Sequence, residues 1–157
     1  MNKTVIVRSL EFARGGEQGN QAAATVIVRA INKSGGALAV GDTVIYDTTN
    51  STADLIAVTT TASGDNRLAY GIAREVIANN TVGDVQIWGP TSFLKVNGTT
   101  DIAVGDYLST FTTAKIAQKT TGAGAFAMAL EAYTGNDSNG VIDAFIMTMG
   151  MVPRPAS

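Results

Sequence analysis

Residues 39–44 read AVGDTV, and residues 103–108 read AVGDYL. Three further blocks follow each copy in the same order: LIA at 55–57 and KIA at 115–117, YGIARE at 70–75 and FAMALE at 126–131, and GDVQIW at 83–88 and GVIDAF at 140–145. Chance rarely preserves both the order and the spacing of four blocks. The chain therefore carries an internal duplication, with repeats at about 37–90 and 100–150.

Each block predicts a turn or a strand. The glycine of each Gly-Asp pair accepts positive φ, and the aspartate can bond nearby backbone N–H groups, so the pair predicts a turn that leads into a strand. The block at 85–88 alternates, which predicts Val85 and Ile87 on the buried face and Gln86 and Trp88 on the other. Ile142, Ala144 and Ile146 alternate in the same way.

Short strands separated by turn clusters predict an all-β fold, an internally duplicated β-barrel or sandwich. The segments at 68–76 and 125–132 also show helical spacing, so a single helical turn stays open as the alternative to a strand there. The predicted strands cover 4–8, 25–32, 43–47, 54–60, 68–76, 84–89, 92–97, 106–111, 114–118, 125–132 and 141–149.

The two ends of the chain differ from this pattern. Residues 13–24 have no periodicity and predict an extended N-terminal arm or a long loop. The expected organisation is an arm with a first strand over 1–30 and a β-barrel domain over 31–157. Residues 153–157 read PRPAS, which predicts an extended tail rather than a strand.

The composition excludes several classes of function. The 157 residues include no His and no Cys, so Ser-His-Asp and Cys-His catalysis, zinc and haem ligation by those residues, and disulfides are excluded. Only 15% of residues are charged and the net charge is -2, which argues against nucleic acid as a partner. No apolar run resembles a signal peptide or a membrane span, so we expect synthesis in the cytoplasm and no membrane partner.

Three weak motifs are better explained as turns. Residues 122–127 match a relaxed dinucleotide-binding pattern, but no βαβ unit surrounds them. Residues 136–140 resemble a fragment of a calcium loop without its distal Glu. Asp42 and Asp106 could form a carboxylate pair, but their identical place after Gly favours a duplicated turn residue. We therefore expect no enzymatic activity, no catalytic residue, no cofactor, no metal and no small-molecule substrate.

Two sets of side chains are candidates for binding a partner. The basic residues of the first fifth of the chain could contact an acidic surface, although solvated strand edges are the alternative. They are Lys3, Arg8, Arg14, Arg29 and Lys33. The aromatic residues Trp88, Tyr107 and Tyr133 could stack on a sugar, although a position in the core or at a subunit interface is the simpler interpretation.

The repeat gives the chain a resemblance to a known family, the small β-barrel decoration (cement) proteins of tailed-phage capsids. The likeness covers residues 37 to about 150. The motifs that carry it are YGIA at 70–73, VGDVQIWG at 82–89, VNG at 96–98, AVGDYL at 103–108 and AMALEA at 127–132.

The resemblance implies a non-enzymatic protein on the outer face of the capsid. Members of the family clamp neighbouring coat subunits, often as trimers. It therefore implies the major capsid protein and the chain itself, as a homotrimer, as partners, and the virion surface as the location. An N-terminal arm that reaches across the coat, in which Lys3, Arg8 and Arg14 are the candidate contacts, would suit residues 1 to about 30. The alternatives are a head-fibre base, a minor coat or tail protein, or a carbohydrate-binding β module.

Overall fold

The computed structural model describes residues 25–122 and 124–148, together with the backbone of residues 5–8. These residues form ten β-strands, and no helix occurs among them. The strands are β1 (Val5–Arg8), β2 (Thr25–Asn32), β3 (Thr43–Tyr46), β4 (Ala57–Thr59), β5 (Ala69–Ala73), β6 (Val82–Asn97), β7 (Tyr107–Thr110), β8 (Ala117–Thr120), β9 (Ala127–Ala129) and β10 (Gly140–Met147).

The strand pairings close into two rings of five strands that share β6. The first ring, here the first barrel, runs β2-β4-β3-β5-β6 and returns to β2; the second barrel runs β6-β8-β7-β9-β10 and returns to β6. Within each ring, closure removes the exposed strand edges that would otherwise invite aggregation. The all-β, internally duplicated fold predicted from the repeat is confirmed.

The duplication extends to individual strand pairs. Each barrel contains one parallel pair, β2 with β4 and β6 with β8, and the other pairs of each ring are antiparallel. The parallel pairs place Asn32 opposite Val58 and Asn97 opposite Gln118. The repeat therefore begins one strand earlier than the Gly-Asp blocks, at β2 and at the second half of β6. Strands were predicted at 25–32 and 92–97, but not as copies of one another.

The last block of each repeat, at 83–88 in β6 and at 140–145 in β10, aligns with its copy in a different register from the one that the sequence suggests. Ile72 of β5 pairs with Gln86, and the equivalent Met128 of β9 pairs with Phe145. Asp84 therefore corresponds to Asp143, and the backbone N–H of each donates to a glutamate at the equivalent place, Glu75 or Glu131.

Each barrel has its own apolar core. Val28, Leu38 and Val85 are among the buried residues of the first, and Leu94, Phe126 and Ile142 are among those of the second. The alternating pattern is confirmed for β10, where Ile142, Ala144 and Ile146 are buried.

Several predicted strand limits were wrong, each for a local reason. The break predicted between 84–89 and 92–97 does not exist, because β6 runs unbroken from Val82 to Asn97. The strand predicted at 114–118 begins only at Ala117, since Lys115 has a φ of 74° that no strand tolerates. The segments at 68–76 and 125–132 contain the strands β5 and β9, so the helical-turn alternative was wrong.

Gln86 holds the bend of β6 between the two barrels. Its side chain is fully buried, where the alternation predicted a solvent-facing position. The Nε2 atom donates to the carbonyl oxygens of Trp88, Gly89 and Pro90 at 3.2, 2.9 and 3.0 Å, and Oε1 accepts from Arg74 at 2.8 Å. Gly89 has a φ of 99°, so the strand turns here without losing its carbonyl partners.

Replacing Gln86 by methionine should lower the free energy of unfolding by about 1–3 kcal/mol, because the change keeps the volume but leaves buried carbonyl groups without their donor. Urea unfolding followed by circular dichroism measures the loss. The control is Gln118→Met at a half-buried position on β8, which should cost under about 0.5 kcal/mol. Equal effects of the two replacements would contradict the role assigned to Gln86.

Candidate functional site: two copies of the Gly-Asp turn

The duplicated motif forms the same turn twice. The Ala39 N–H donates to the Asp42 carboxylate at 2.8 Å, and the Ala103 N–H donates to the Asp106 carboxylate at 2.7 Å. In each turn the aspartate N–H also donates back to the alanine carbonyl, at 3.1 Å. We call residues 39–43 the first turn and residues 103–107 the second turn. The structure places the two carboxylates in separate turns with separate lysine partners, which agrees with the turn interpretation rather than with a catalytic pair.

The first turn lies against the second barrel. A Cβ atom at Gly41 would stand 1.9 Å from the carbonyl oxygen of Phe93, so only glycine fits. Asp42 forms ion pairs with Lys95 at 2.5 Å and with Lys115 at 3.7 Å, and its side chain is 3% exposed. The guanidinium of Arg74 lies 4.9 Å from the centre of the Phe93 ring. The part of β6 that follows Pro90 therefore covers the first turn at the junction between the barrels.

A second contact fixes the same junction. The loop between β4 and β5 reaches β7, where the Asp65 N–H donates to the Thr110 carbonyl at 3.2 Å and the Thr110 hydroxyl donates to the Ser63 carbonyl at 2.8 Å. The Ser109 hydroxyl donates to the Asp65 carboxylate. Together with β6, these bonds hold the two barrels at several points.

The second turn, by contrast, is open to solvent. A Cβ atom at Gly105 would meet nothing within 4 Å. Val104 is 65% exposed and Tyr107 is 49% exposed, and Leu130, on the neighbouring segment, is 41% exposed. The Gly105 N–H donates to the Ala129 carbonyl, so Val104 and Leu130 flank a common point of the surface. We call Val104, Tyr107 and Leu130 the open apolar face. These exposed apolar side chains distinguish the second turn from the first.

Asp106, in the second turn, is a charged residue beside the open apolar face. Hydrogen bonds lower its pKa below the ordinary value of 3.8, first from the Lys119 ammonium and second from the Ala103 N–H. The ion pair with Lys119 measures 2.7 Å. Asp106 therefore carries its charge throughout the physiological pH range.

This shift predicts an acid-dependent loss of stability. A carboxylate with a lowered folded-state pKa stabilises the fold above its ordinary pKa, and that contribution is lost as the pH falls through the folded-state value. Asp106→Asn should therefore reduce stability at about pH 7, and the difference from the parent should shrink towards about pH 3. Urea midpoints across this range test it. A difference that stays constant with pH would contradict it.

A cleft of about 330 Å³ lies beside the junction. Asp42, Lys95 and Lys115 line one part of it, and residues 138–141 line another. The lining carries two lysines and one aspartate, a net charge of +1, and both ammonium groups lie within ion-pair distance of Asp42.

The predicted basic contacts are only partly described. Lys3 and Arg14 lie outside the described residues, and Arg8 is described only by its backbone, which pairs with Thr25 at the end of β1. Arg29 forms an ion pair with Asp84 at 2.8 Å, and the Lys33 ammonium donates to the Asn80 side chain at 3.0 Å. These two side chains are therefore tied to the first barrel itself.

The three aromatic candidates for stacking on a sugar lie in different settings. Trp88 is half-buried and meets Phe145 edge-on, with ring centres 5.2 Å apart. Tyr133 is half-buried, and a Cβ atom at Gly98 or Gly135 would come within 2.5 Å of its ring, so these glycines make room for it. Tyr107 belongs to the open apolar face. Among the described residues, no ring contact joins the three, and no shared platform is formed.

The weak motifs lie in turns. In the loop at 136–140 the Asp137 carboxylate accepts from the Tyr133 hydroxyl at 2.9 Å and from the Asn139 N–H at 2.8 Å. The hydrogen bond with Asp137 is the first cause of a raised Tyr133 pKa. Gly122 and Gly124 both have positive φ just before β9. Ala123 between them lies outside the described residues.

Two features are absent from the described residues. Residues 25–122 and 124–148 contain no group of three or more acidic side chains placed to hold a metal ion. In the same part of the chain no helix has the length and hydropathy needed to span a bilayer.

The fold and its surface define a class of protein: a tandem pair of β-barrels whose distinctive features are a shared strand, a covered turn and an open apolar face. No family model matches the sequence, and no match was found among the curated proteins. Among solved structures the chain is similar to the N base of the head fibre protein gp8.5 of bacteriophage phi29, with a TM-score of 0.53 and 20% sequence identity. The match covers 79% of this chain and 95% of that chain. At this identity the likeness shows a shared fold.

Proposed function

We propose that the chain is a non-enzymatic structural protein of a phage virion, located on the outer surface of the capsid. The observation that carries the proposal is the shared fold over 95% of the phi29 head-fibre base. The sequence motifs at 70–73, 82–89 and 103–108 resemble those of a second kind of capsid-surface protein, the decoration proteins. The structural likeness and the motif resemblance thus both support a protein of the phage head.

The surface chemistry supports a role in assembly. Only 15% of the residues are charged, and burying a charge against a partner costs far more than burying a hydroxyl or a methyl group. Val76, Val104 and Val141 are each more than half exposed, at 71%, 65% and 51%. Such a surface can bury area against a coat protein at a small desolvation cost. Repetition over a shell multiplies modest contacts through avidity.

Two specific roles follow, and both have the major capsid protein as partner. As a decoration protein, the chain clamps neighbouring coat subunits, for which the motif resemblance is the support. As a fibre base, it anchors a longer appendage, for which the phi29 likeness is the support. A homotrimer is proposed for either role, since the decoration family that the motifs resemble often forms trimers at the symmetry axes of the shell.

Shells of the phage that encodes the chain, assembled without it, distinguish the two roles. We expect the purified protein to bind these shells in a fixed ratio to the coat subunit. A raised melting temperature of the shell identifies a decoration protein. Unchanged shell stability, combined with loss of fibres from particles made without the chain, identifies a fibre base. Failure of the purified protein to bind these shells would refute the proposed location on the capsid surface.

A further inference from the structure

The two Gly-Asp turns differ in what covers them. In the first turn, Phe93 and Lys95 lie against Gly41 and Asp42, and Phe93 also lies under Arg74. The residues equivalent to Gly41, Asp42 and Arg74 are Gly105, Asp106 and Leu130, according to the shared register of the two barrels. Of these, Gly105 and Leu130 are exposed. The second turn is thus the uncovered copy of a surface that the fold covers elsewhere.

The part of β6 that covers the first turn directly follows the part of β6 that completes the first barrel. The first half of β6 closes the first barrel, and Phe93 and Lys95 follow Gln86 by seven and nine residues. In the second barrel, Phe145 of β10 takes the place of Gln86. Counting the same seven and nine residues onward from Phe145 reaches Val152 and Arg154.

The chemistry of these two residues matches the open apolar face. In the first barrel an arginine meets an aromatic ring, Arg74 with Phe93. The residues at the equivalent places, Leu130 and Val152, are both apolar. Asp42 pairs with two lysines, Lys95 and Lys115. Asp106 pairs with one, Lys119, and the residue that the count places opposite it as a second cation is Arg154. Arg74 and Phe93 are thus both replaced by apolar residues, whereas the cation and the carboxylate of the Lys95–Asp42 pair are both kept as Arg154 and Asp106.

We propose that the C-terminal segment 149–157 docks on the open apolar face, with Val152 against Leu130 and Val104 and with Arg154 beside Asp106. Thr148 stands where β6 has Gly89, and Thr148 has no positive φ. The proposal therefore concerns the contact and not a copy of the β6 path. A second copy of the chain is a weaker candidate. The residue of β2 equivalent to Lys95 is Ala30, which offers no cation to Asp106.

Cross-linking tests the contact directly, because the chain has no native cysteine. Val104→Cys combined with Val152→Cys is treated with a short bis-maleimide. The matched control is Val76→Cys with Val152→Cys, since Val76 is 71% exposed and Val104 is 65% exposed. We expect intramolecular linking of the 104/152 pair at least about tenfold faster than of the 76/152 pair, because docking raises the effective concentration.

A further replacement tests the charge. Adding Arg154→Ala to the 104/152 pair should slow the linking several-fold, whereas Arg67→Ala, at an exposed loop position, should leave it unchanged. Equal rates for the 104/152 and 76/152 pairs would overturn the proposal. Linking between chains, seen as a dimer on a denaturing gel, would overturn it in favour of a second copy. The test needs no capsid, so its outcome is independent of the proposed function.

Discussion

Gly41→Ala should destabilise the protein much more than Gly105→Ala, although the two glycines occupy the same place in the repeat. Both have positive φ, 83° and 89°, so each replacement costs about 1–2 kcal/mol of backbone strain. At Gly41 the new Cβ atom would also stand 1.9 Å from the Phe93 carbonyl oxygen, and the barrels would have to shift apart. Overpacking of this kind adds about 1–3 kcal/mol.

Urea unfolding of the two variants measures the difference, with Gly105→Ala as the matched control for backbone strain. A third variant, Gly35→Ala, has a φ of 84° and open space around it, and it should resemble Gly105→Ala. Equal losses in the free energy of unfolding for Gly41→Ala and Gly105→Ala would show that the first turn does not pack against the second barrel.

Phe126→Ala should have the largest effect of any single truncation in the second barrel. Phe126 is 1% exposed and is the largest fully buried side chain among the described residues. Removing it leaves a cavity among residues such as Leu94 and Ile142, at a cost of about 3–5 kcal/mol. The control is Leu68→Ala, at a position that is 41% exposed, which should cost under about 0.5 kcal/mol.

The same variant tests whether the barrels unfold together. Because β6 belongs to both rings, we expect one transition, shared by far-ultraviolet circular dichroism and by the fluorescence of Trp88 at the middle of β6. Separate transitions of the two signals would mean that the first barrel survives without the second.

The strands were predictable where local chemistry decides them. Alternation in β10 and the turn chemistry at Asp42 and Asp106 depend on neighbours within a few residues, and both agree with the structure. The unbroken β6 was not predictable, because Gly89 and Pro90 are residues that ordinarily end strands. It persists because Gln86 holds three carbonyl groups across the bend.

The candidate site was likewise predictable from the sequence only in part. Two copies of one motif predicted two similar turns, and both formed. Nothing in the motif indicates that Thr43 is buried at 3% exposure while the equivalent Tyr107 is 49% exposed. That difference arises from what lies opposite each turn, which is set by residues about fifty positions away from Thr43, on the second half of β6.

The sequence by itself determined an all-β fold, its duplication and the turn that each repeat contains, because strand alternation and Gly-Asp turns act over a few residues. Only the tertiary structure decided that one long strand joins two closed barrels, that the closing blocks match in a shifted register, and that one turn is covered while its copy is open. These depend on contacts between residues far apart in the chain, which the pattern of a single repeat does not contain.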